Sequence, residues 1–366
     1  MPAAPLTNPP PPRAAPEADS VATTRKADHI QLAFASKTGH GAMDPRFYYE
    51  PALAAHPTPD ALPATDFGGY ALRAPLWVSS MTGGTEQARR INTNLARACR
   101  EFGMGMGLGS CRALLHDTTR LPDFDMRPHI GPDAPLFANL GVAQVEHLLA
   151  DGEGHRMAAL LELLRADGLI VHVNPLQEWL QPEGDRYEAA PVDTIAAALD
   201  VLDAPVIVKE VGQGFGPKSV ERLLAMPLLA LEFAAAGGTN FARLENLRAD
   251  ETAAATYQNL EHVGHTAAEM VGFVNAAAAR LGDRRRCKSV ILSGGVRDFL
   301  DGYYLRSRCA LPSLYGQASP FLRHATGAYE DLRRFVGDQL RGLALAHAYL
   351  TVREDAGDGS QTTPLV

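Results

Sequence analysis

Cysteine is scarce in this chain. Of its 366 residues only Cys99, Cys111, Cys287 and Cys309 are cysteines, and no two stand at CxxC spacing. That excludes a disulfide-framed scaffold and a zinc knuckle, and the four read as reduced thiols of a cytoplasmic protein. Long apolar runs are missing as well. The longest, AMPLLALEFAAAGG, is short and carries Glu232, so no segment reaches the length of a membrane span. Positive charge is in deficit, with 34 Lys and Arg against 42 Asp and Glu and a net charge of −8. A general nucleic-acid binder would show a basic balance, although a local basic patch for a small anion remains compatible. No GxGxxG turn follows an early strand, which leaves a doubly wound dinucleotide-binding sheet without its fingerprint. The opening MPAAPLTNPPPPRAAPEADS has no apolar centre of the kind a signal peptide needs. Rich in Pro and poor in large apolar groups, residues 1–24 are expected to be a disordered tail.

What the chain does hold is 46 % hydrophobic residues, enough for a sizeable core, arranged in a repeating order. Short apolar strands alternate with small or polar turns and amphipathic helices. The strand candidates are LWVSS (76–80), MGMGLG (104–109), PLFANL (135–140), GLIVHV (168–173), PVIVKE (205–210), LALEFAA (229–235), KSVILS (288–293) and SLYGQA (313–318). Between them lie stretches such as EQARRINTNLARACREF, with apolar residues at helical spacing. Eight βα units in series predict a (β/α)8 TIM barrel over residues 76–350. Residues 25–75 form a preceding segment that contributes to the site, and residues 351–366 a flexible C-terminal tail. The long interval GGTNFARLENLRADETAAATYQNLEHVGHT, between the sixth and seventh strands, reads as an insertion over the barrel mouth.

A barrel places its active face at the C-terminal ends of its strands. The exits here read SSMTGG, GLGSCR, ANLG, HVNPLQE, KEVGQG, AAGGT, SGGVR and GQAS, a ring of small, polar and Gly-rich turns. Glycine lets backbone approach a ligand closely. Gly294, Gly295 and Arg297 after the seventh strand, beside the Gly-rich eighth exit, suit a phosphate, since phosphate-binding barrels place their anion site there. Lys209 closes the apolar run PVIV. It either faces the mouth and neutralises an anion or pairs with Glu210 or Glu178. Alternation along the fourth strand turns Val171 and Val173 toward the helices and His172 and Asn174 into the mouth. Pro175 then ends the strand, and Gln177 and Glu178 fall in the loop after it. His172 reads equally as a hydrogen-bonded mouth residue and as a catalytic one.

Taken together, RKADHI (25–30), SMTGG, ANLG, NPLQE, KEVGQG, GGT and SGGVR recur as an ordered set. In that order the chain resembles the type 2 isopentenyl-diphosphate isomerases from Arg25 to about residue 325. The resemblance implies a TIM-barrel flavoenzyme of isoprenoid synthesis that turns isopentenyl diphosphate into dimethylallyl diphosphate by a redox-neutral allylic proton shift. It implies FMN, reduced by NAD(P)H, and Mg²⁺ as cofactors, and a homo-oligomer, tetrameric or larger, in the cytoplasm. By motif, Ser80, Met81 and Thr82 would cradle the flavin ring, Ser110 and Asn139 would hydrogen-bond it, and Lys209 would lie at its N1/C2 edge. Thr239, Gly294, Gly295, Arg297, Gln317 and Ala318 would hold the phosphate and ribityl chain. Arg25 and Lys26, with His29 and Arg112, would grip the substrate diphosphate. Gln177 would face the alkene beside His172 and Asn174, and Glu178 would bind the metal. The chain departs from the pattern at Cys111, where GSQR is usual, after GGT, and at Gln317. A rival reading is an FMN-dependent oxidoreductase on the same barrel, but SGGVRDF lacks the His–Arg pair a 2-hydroxy-acid oxidase needs, and no nucleophilic-cysteine loop signature is present.

Overall fold

The computed structural model describes residues 17–58 and 62–353. The expected tail therefore lies outside the described residues up to position 16, and the backbone is helical over Glu17–Leu32. Residues 354–366 of the expected C-terminal tail also lie outside them. Two compact units divide the chain, Met1–Phe47 and Tyr48–Val366. The first contains the helix Glu17–Leu32 and a 3-10 turn at His40–Ala42.

The second unit is built on a closed barrel of eight parallel strands, as the alternation predicts. In chain order they are β1 (Leu76–Val78), β2 (Gly105–Gly107), β3 (Leu136–Gly141), β4 (Gly168–Val173), β5 (Val206–Glu210), β6 (Ala230–Glu232), β7 (Ser289–Ser293) and β8 (Ser313–Gln317). Each pairs with its sequence neighbour, and β8 closes on β1. Strands buried on both faces carry no polar alternation, which is why they read as continuous apolar runs.

Local chemistry sets the helix ends. Thr85 caps the helix Glu86–Phe102 by accepting from the Ala88 N–H, and Gly103 ends it at φ 68°. Thr266 and Glu269 form a reciprocal capping box on Ala267–Leu281. The barrel interior is filled from its N-terminal end by Trp77, Phe137, Ile170, Ile207, Leu229, Ile291 and Leu314. Phe67 and Leu72, from the hairpin Thr65–Leu72, join that cluster. The hairpin thus plugs the end opposite the strand exits. Each such fully buried large side chain contributes roughly 1.5–3 kcal/mol. Gly105 is small for a packing reason: a Cβ there would stand 2.4 Å from the Trp77 indole.

The interval after β6 is mostly helical, with Phe241–Arg248, Glu251–Tyr257 and a 3-10 turn at Gln258–His262. Asn240 starts the first of these by accepting from Arg243 N, and it ties the segment together by donating to Glu261 O at 2.7 Å. Phe241–Arg248 packs on the helix that follows β4, and Arg248 reaches Glu183 at 2.8 Å. No helix among the described residues is long and apolar enough to cross a membrane, and the four cysteines are unpaired.

Candidate active site

The strand exits enclose a cavity of about 610 Å³, within the 300–1,000 Å³ typical of small-molecule sites. Ser79, Ser80 and Met81 line it from β1, Lys209 from β5, Glu232 and Thr239 from β6, Gly294, Gly295 and Arg297 from β7, and Gln317 and Ala318 from β8. Most residues expected to hold a flavin are therefore brought to one cavity. Three polar atoms of its lining residues, Ser80 Oγ, Gln317 Oε1 and Glu232 Oε2, are buried without a hydrogen-bond partner in the protein. Such atoms are costly unless something in the cavity satisfies them.

The far wall is backbone. Gly294 and Gly295 adopt φ 91° and 70°. A Cβ on Gly294 would meet the Ala235 carbonyl oxygen at 2.1 Å, so β6 and β7 exit with their main chains in contact. Only glycine fits there, on both conformational and steric grounds. Arg297 stands at the rim, its guanidinium held by Asp301 at 3.0 Å.

Register places the charges. His172 on β4, Lys209 on β5 and Glu232 on β6 are successive Cα partners in one row across the sheet. In-register residues of parallel neighbours project to the same side, here toward the mouth. Lys209 donates to the Glu210 carbonyl oxygen at 2.8 Å and ion-pairs with neither carboxylate considered from the sequence. The Glu210 carboxylate instead accepts the backbone N–H groups of Gly212, Gln213 and Gly214, which fixes the KEVGQG loop. Burial raises the Glu210 carboxyl against those bonds. Glu232 is completely buried. It accepts from Ser79 Oγ at 2.5 Å and from Ser293 Oγ at 3.3 Å through Oε1, while Oε2 has no partner. Burial raises its carboxyl, and Lys209 opposes the rise.

His172 Nδ1 lies 2.8 Å from Asn139 Oδ1. Asn139 donates its amide to the Leu108 carbonyl, so its oxygen is the acceptor and Nδ1 carries the hydrogen. Nε2 is left as a lone pair, beside Gly141. Burial first, and the Lys209 charge second, push the imidazole down to about 3. It is neutral near pH 7.

The segment after β4 departs from expectation. Gln177 and Glu178 do not lie in a loop: Pro175 opens a helix, Pro175–Leu180, with Asn174 as its N-cap. Proline's fixed φ suits the first helical position, so it ends the strand and starts a helix at once. Asn174 is the hub. Its amide donates to Gln177 Oε1 and Glu178 Oε1, both at 3.0 Å, and its oxygen accepts from Tyr187 at 2.8 Å. Glu178 Oε2 accepts the Asp185 N–H at 2.7 Å. Asp185 in turn holds Arg112 at 2.9 Å and Gln144 at 2.8 Å.

Not every expected residue reaches that cavity. Thr82, Ser110, Asn139, His172, Asn174, Gln177 and Glu178 do not line it. Thr82 presents its backbone to Gly109 and to Asn92, Ser110 is exposed, and Asn139 serves His172. Arg25, Lys26 and His29 are exposed on the helix Glu17–Leu32 of the first unit. Among the described residues no group of three or more His, Cys, Asp or Glu gathers for a metal. Sequence reasoning missed Glu232, Asp185 and Tyr187. Glu232 had a signal, a carboxylate inside a core strand; the other two gave none.

No family model matches the chain. It is 35% identical to an isopentenyl-diphosphate delta-isomerase of Synechococcus over 337 residues, 90% of this chain and 92% of that one. A protein of the same name from Nostoc is 35% identical over 325 residues (86% and 89%), and one from Rickettsia africae 33% over 310 residues (82% and 85%). Among solved structures, a flavocytochrome b2 variant with sulfite bound aligns with TM-score 0.56 at 13% identity, covering 83% of this chain and 72% of that one. A mandelate oxidase aligns with TM-score 0.51 at 15% identity, covering 92% and 98%. Both show the barrel fold.

Proposed function

The chain belongs to the isopentenyl-diphosphate delta-isomerase family, and from that premise we propose that it is the FMN-dependent, type 2 form, converting isopentenyl diphosphate to dimethylallyl diphosphate with Mg²⁺. The observation that carries the FMN assignment is the pair of buried, unpartnered polar atoms, Ser80 Oγ and Gln317 Oε1, on a cavity walled by glycine backbone. Those residues fit a ring with polar edges and a phosphorylated chain. Ser80, Met81 and Lys209 would hold the ring, and Thr239, Gly294, Gly295, Arg297, Gln317 and Ala318 the chain. Reduced FMN supplies a proton-transfer atom and an electron-rich face to an alkene that is itself a poor base. NAD(P)H is the proposed reductant.

The protein's part is positioning and charge. Lys209, buried at the mouth, neutralises negative charge in a desolvated site. Asn174 aims Gln177 at the alkene; an amide is neither acid nor base near pH 7, so Gln177 orients it. Neutral His172 offers Nε2 as an acceptor. Glu178 fits a magnesium ion that keeps most of its waters and takes one carboxylate plus diphosphate oxygens. Each of its oxygens has one protein donor and keeps a second lone pair. Arg112 would take the diphosphate, and the RKADHI motif alone is the ground for proposing diphosphate contacts for Arg25, Lys26 and His29. Free thiols and a water-soluble substrate suit a cytoplasmic enzyme, and a homo-oligomer is proposed from resemblance.

The test is an anaerobic incubation with FMN, NADPH, Mg²⁺ and isopentenyl diphosphate. Dimethylallyl diphosphate should form without stoichiometric NADPH loss. Stoichiometric consumption would point to the oxidoreductase reading, and a protein that ignores added FMN would refute the flavin site.

A further inference from the structure

Glu232 sits where a carboxylate is hard to justify by stability alone. It is completely buried, lies on the inner face of β6, and lines the cavity floor. A buried carboxylate is costly unless paired, yet no cation stands within ion-pair distance of it among the described residues. The groups facing it are few. Ser79 and Trp77 from β1 and Ser293 from β7 are neutral, as is Gln317 on β8. Lys209 on β5 is the charged neighbour in register, and His172 lies beyond Lys209, uncharged near pH 7. Glu232 Oε1 is engaged by both serine hydroxyls, whereas Oε2 has no partner. A proton can therefore occupy Oε2 without breaking any bond seen in the protein. His172 also keeps a lone pair, on Nε2, but it is the direct neighbour of Lys209 in the row, and burial with that positive charge disfavours a proton there.

We propose that Glu232 is a proton-exchanging residue of the flavin cavity: ionised while it balances Lys209, it takes up one proton when the bound ring becomes anionic. This deepens the FMN reading and rests on it. With an oxidised, neutral ring, the buried pair Lys209 and Glu232 sum to zero charge beside it. Two-electron reduction to an anionic ring brings in two electrons and one proton from the external reductant and solvent. Left alone, the compartment would carry one net negative charge. Glu232 restores neutrality by binding a second proton at Oε2, forming one O–H bond and breaking none within the protein.

The test is a spectroelectrochemical titration of the full-length FMN-loaded protein between pH 6 and 8, with dithionite as reductant. For a two-electron couple each coupled proton shifts the potential by about 30 mV per pH unit. Wild type should fall by about 60 mV per pH unit and Glu232→Gln by about 30 mV per pH unit. Both should show the absorbance of the anionic reduced ring. Equal slopes in the two proteins, a wild-type slope near 30 mV, or a neutral reduced ring in wild type would each overturn the proposal while leaving FMN binding intact. If Glu232→Gln does not fold, the wild type decides: its reduced-minus-oxidised infrared spectrum must gain a protonated-carboxyl band, and the lack of that band overturns the proposal. Failure to bind FMN at all would instead overturn the parent reading, and this one with it.

Discussion

Replacing His172 with glutamine should remove a defined part of the protein's acid sensitivity. The unfolded imidazole titrates near its ordinary value of 6.5, whereas burial and Lys209 push the folded one down to about 3. The folded state therefore binds the proton less tightly. Stability from this group is complete above pH 6.5 and is lost as pH falls from there toward 3, where the unfolded chain takes up a proton that the native chain refuses. Each pH unit in that window costs about 1.4 kcal/mol. Moving from pH 8 to pH 5 should thus cost wild type about 2 kcal/mol through His172 alone. Glutamine cannot titrate, and its amide can still donate to Asn139 Oδ1. Urea unfolding at both pH values, followed by circular dichroism and by tryptophan fluorescence, gives the double difference, and coincident transitions license the two-state treatment. Carboxylates elsewhere titrate alike in both proteins and cancel. If His172→Gln loses as much stability as wild type between pH 8 and 5, the neutral imidazole is refuted. A His172 ring that nuclear magnetic resonance shows protonated at pH 5 would refute it directly.

Two further outcomes bear on the site. Glu178→Gln removes the proposed ligand charge, so half-maximal isomerisation should require at least tenfold more Mg²⁺ on the order of one lost charge–metal contact; an unchanged magnesium titration would remove Glu178 from that role. Gly294→Ala forces a side chain onto φ 91° and into the Ala235 carbonyl, so it should cost at least roughly 1–3 kcal/mol of strain. A lowered melting temperature and weakened FMN binding would show this, and an alanine variant indistinguishable in both would contradict the close backbone packing of β6 and β7.

Much of the barrel was legible because its physics is local. Strands buried on both faces must be continuously apolar, and their helices must repeat at 3.6 residues, so the runs at Leu136–Gly141 and Gly168–Val173 announce themselves. The glycine exits were legible too, since a φ that only glycine adopts cheaply leaves its mark in composition. The segment after β4 was half legible. Pro175 was read as the end of a strand, which it is, but the same fixed φ also begins a helix, and that helix brings Gln177 and Glu178 within reach of Asn174.

The amino-acid order by itself determined the βα alternation, the eight-fold count and the set of motifs that assigns the chain to its family. These depend on neighbours in sequence. Only the tertiary structure decided which side chains meet. Tyr187 closing on Asn174, Asp185 holding Arg112, and the row of His172, Lys209 and Glu232 all follow from strand register and loop return. A carboxylate in an apolar strand is visible in the sequence. Whether it faces helices or the barrel mouth, next to a lysine and two strands from an imidazole, is fixed only when the sheet closes and burial makes each charge answer to the others.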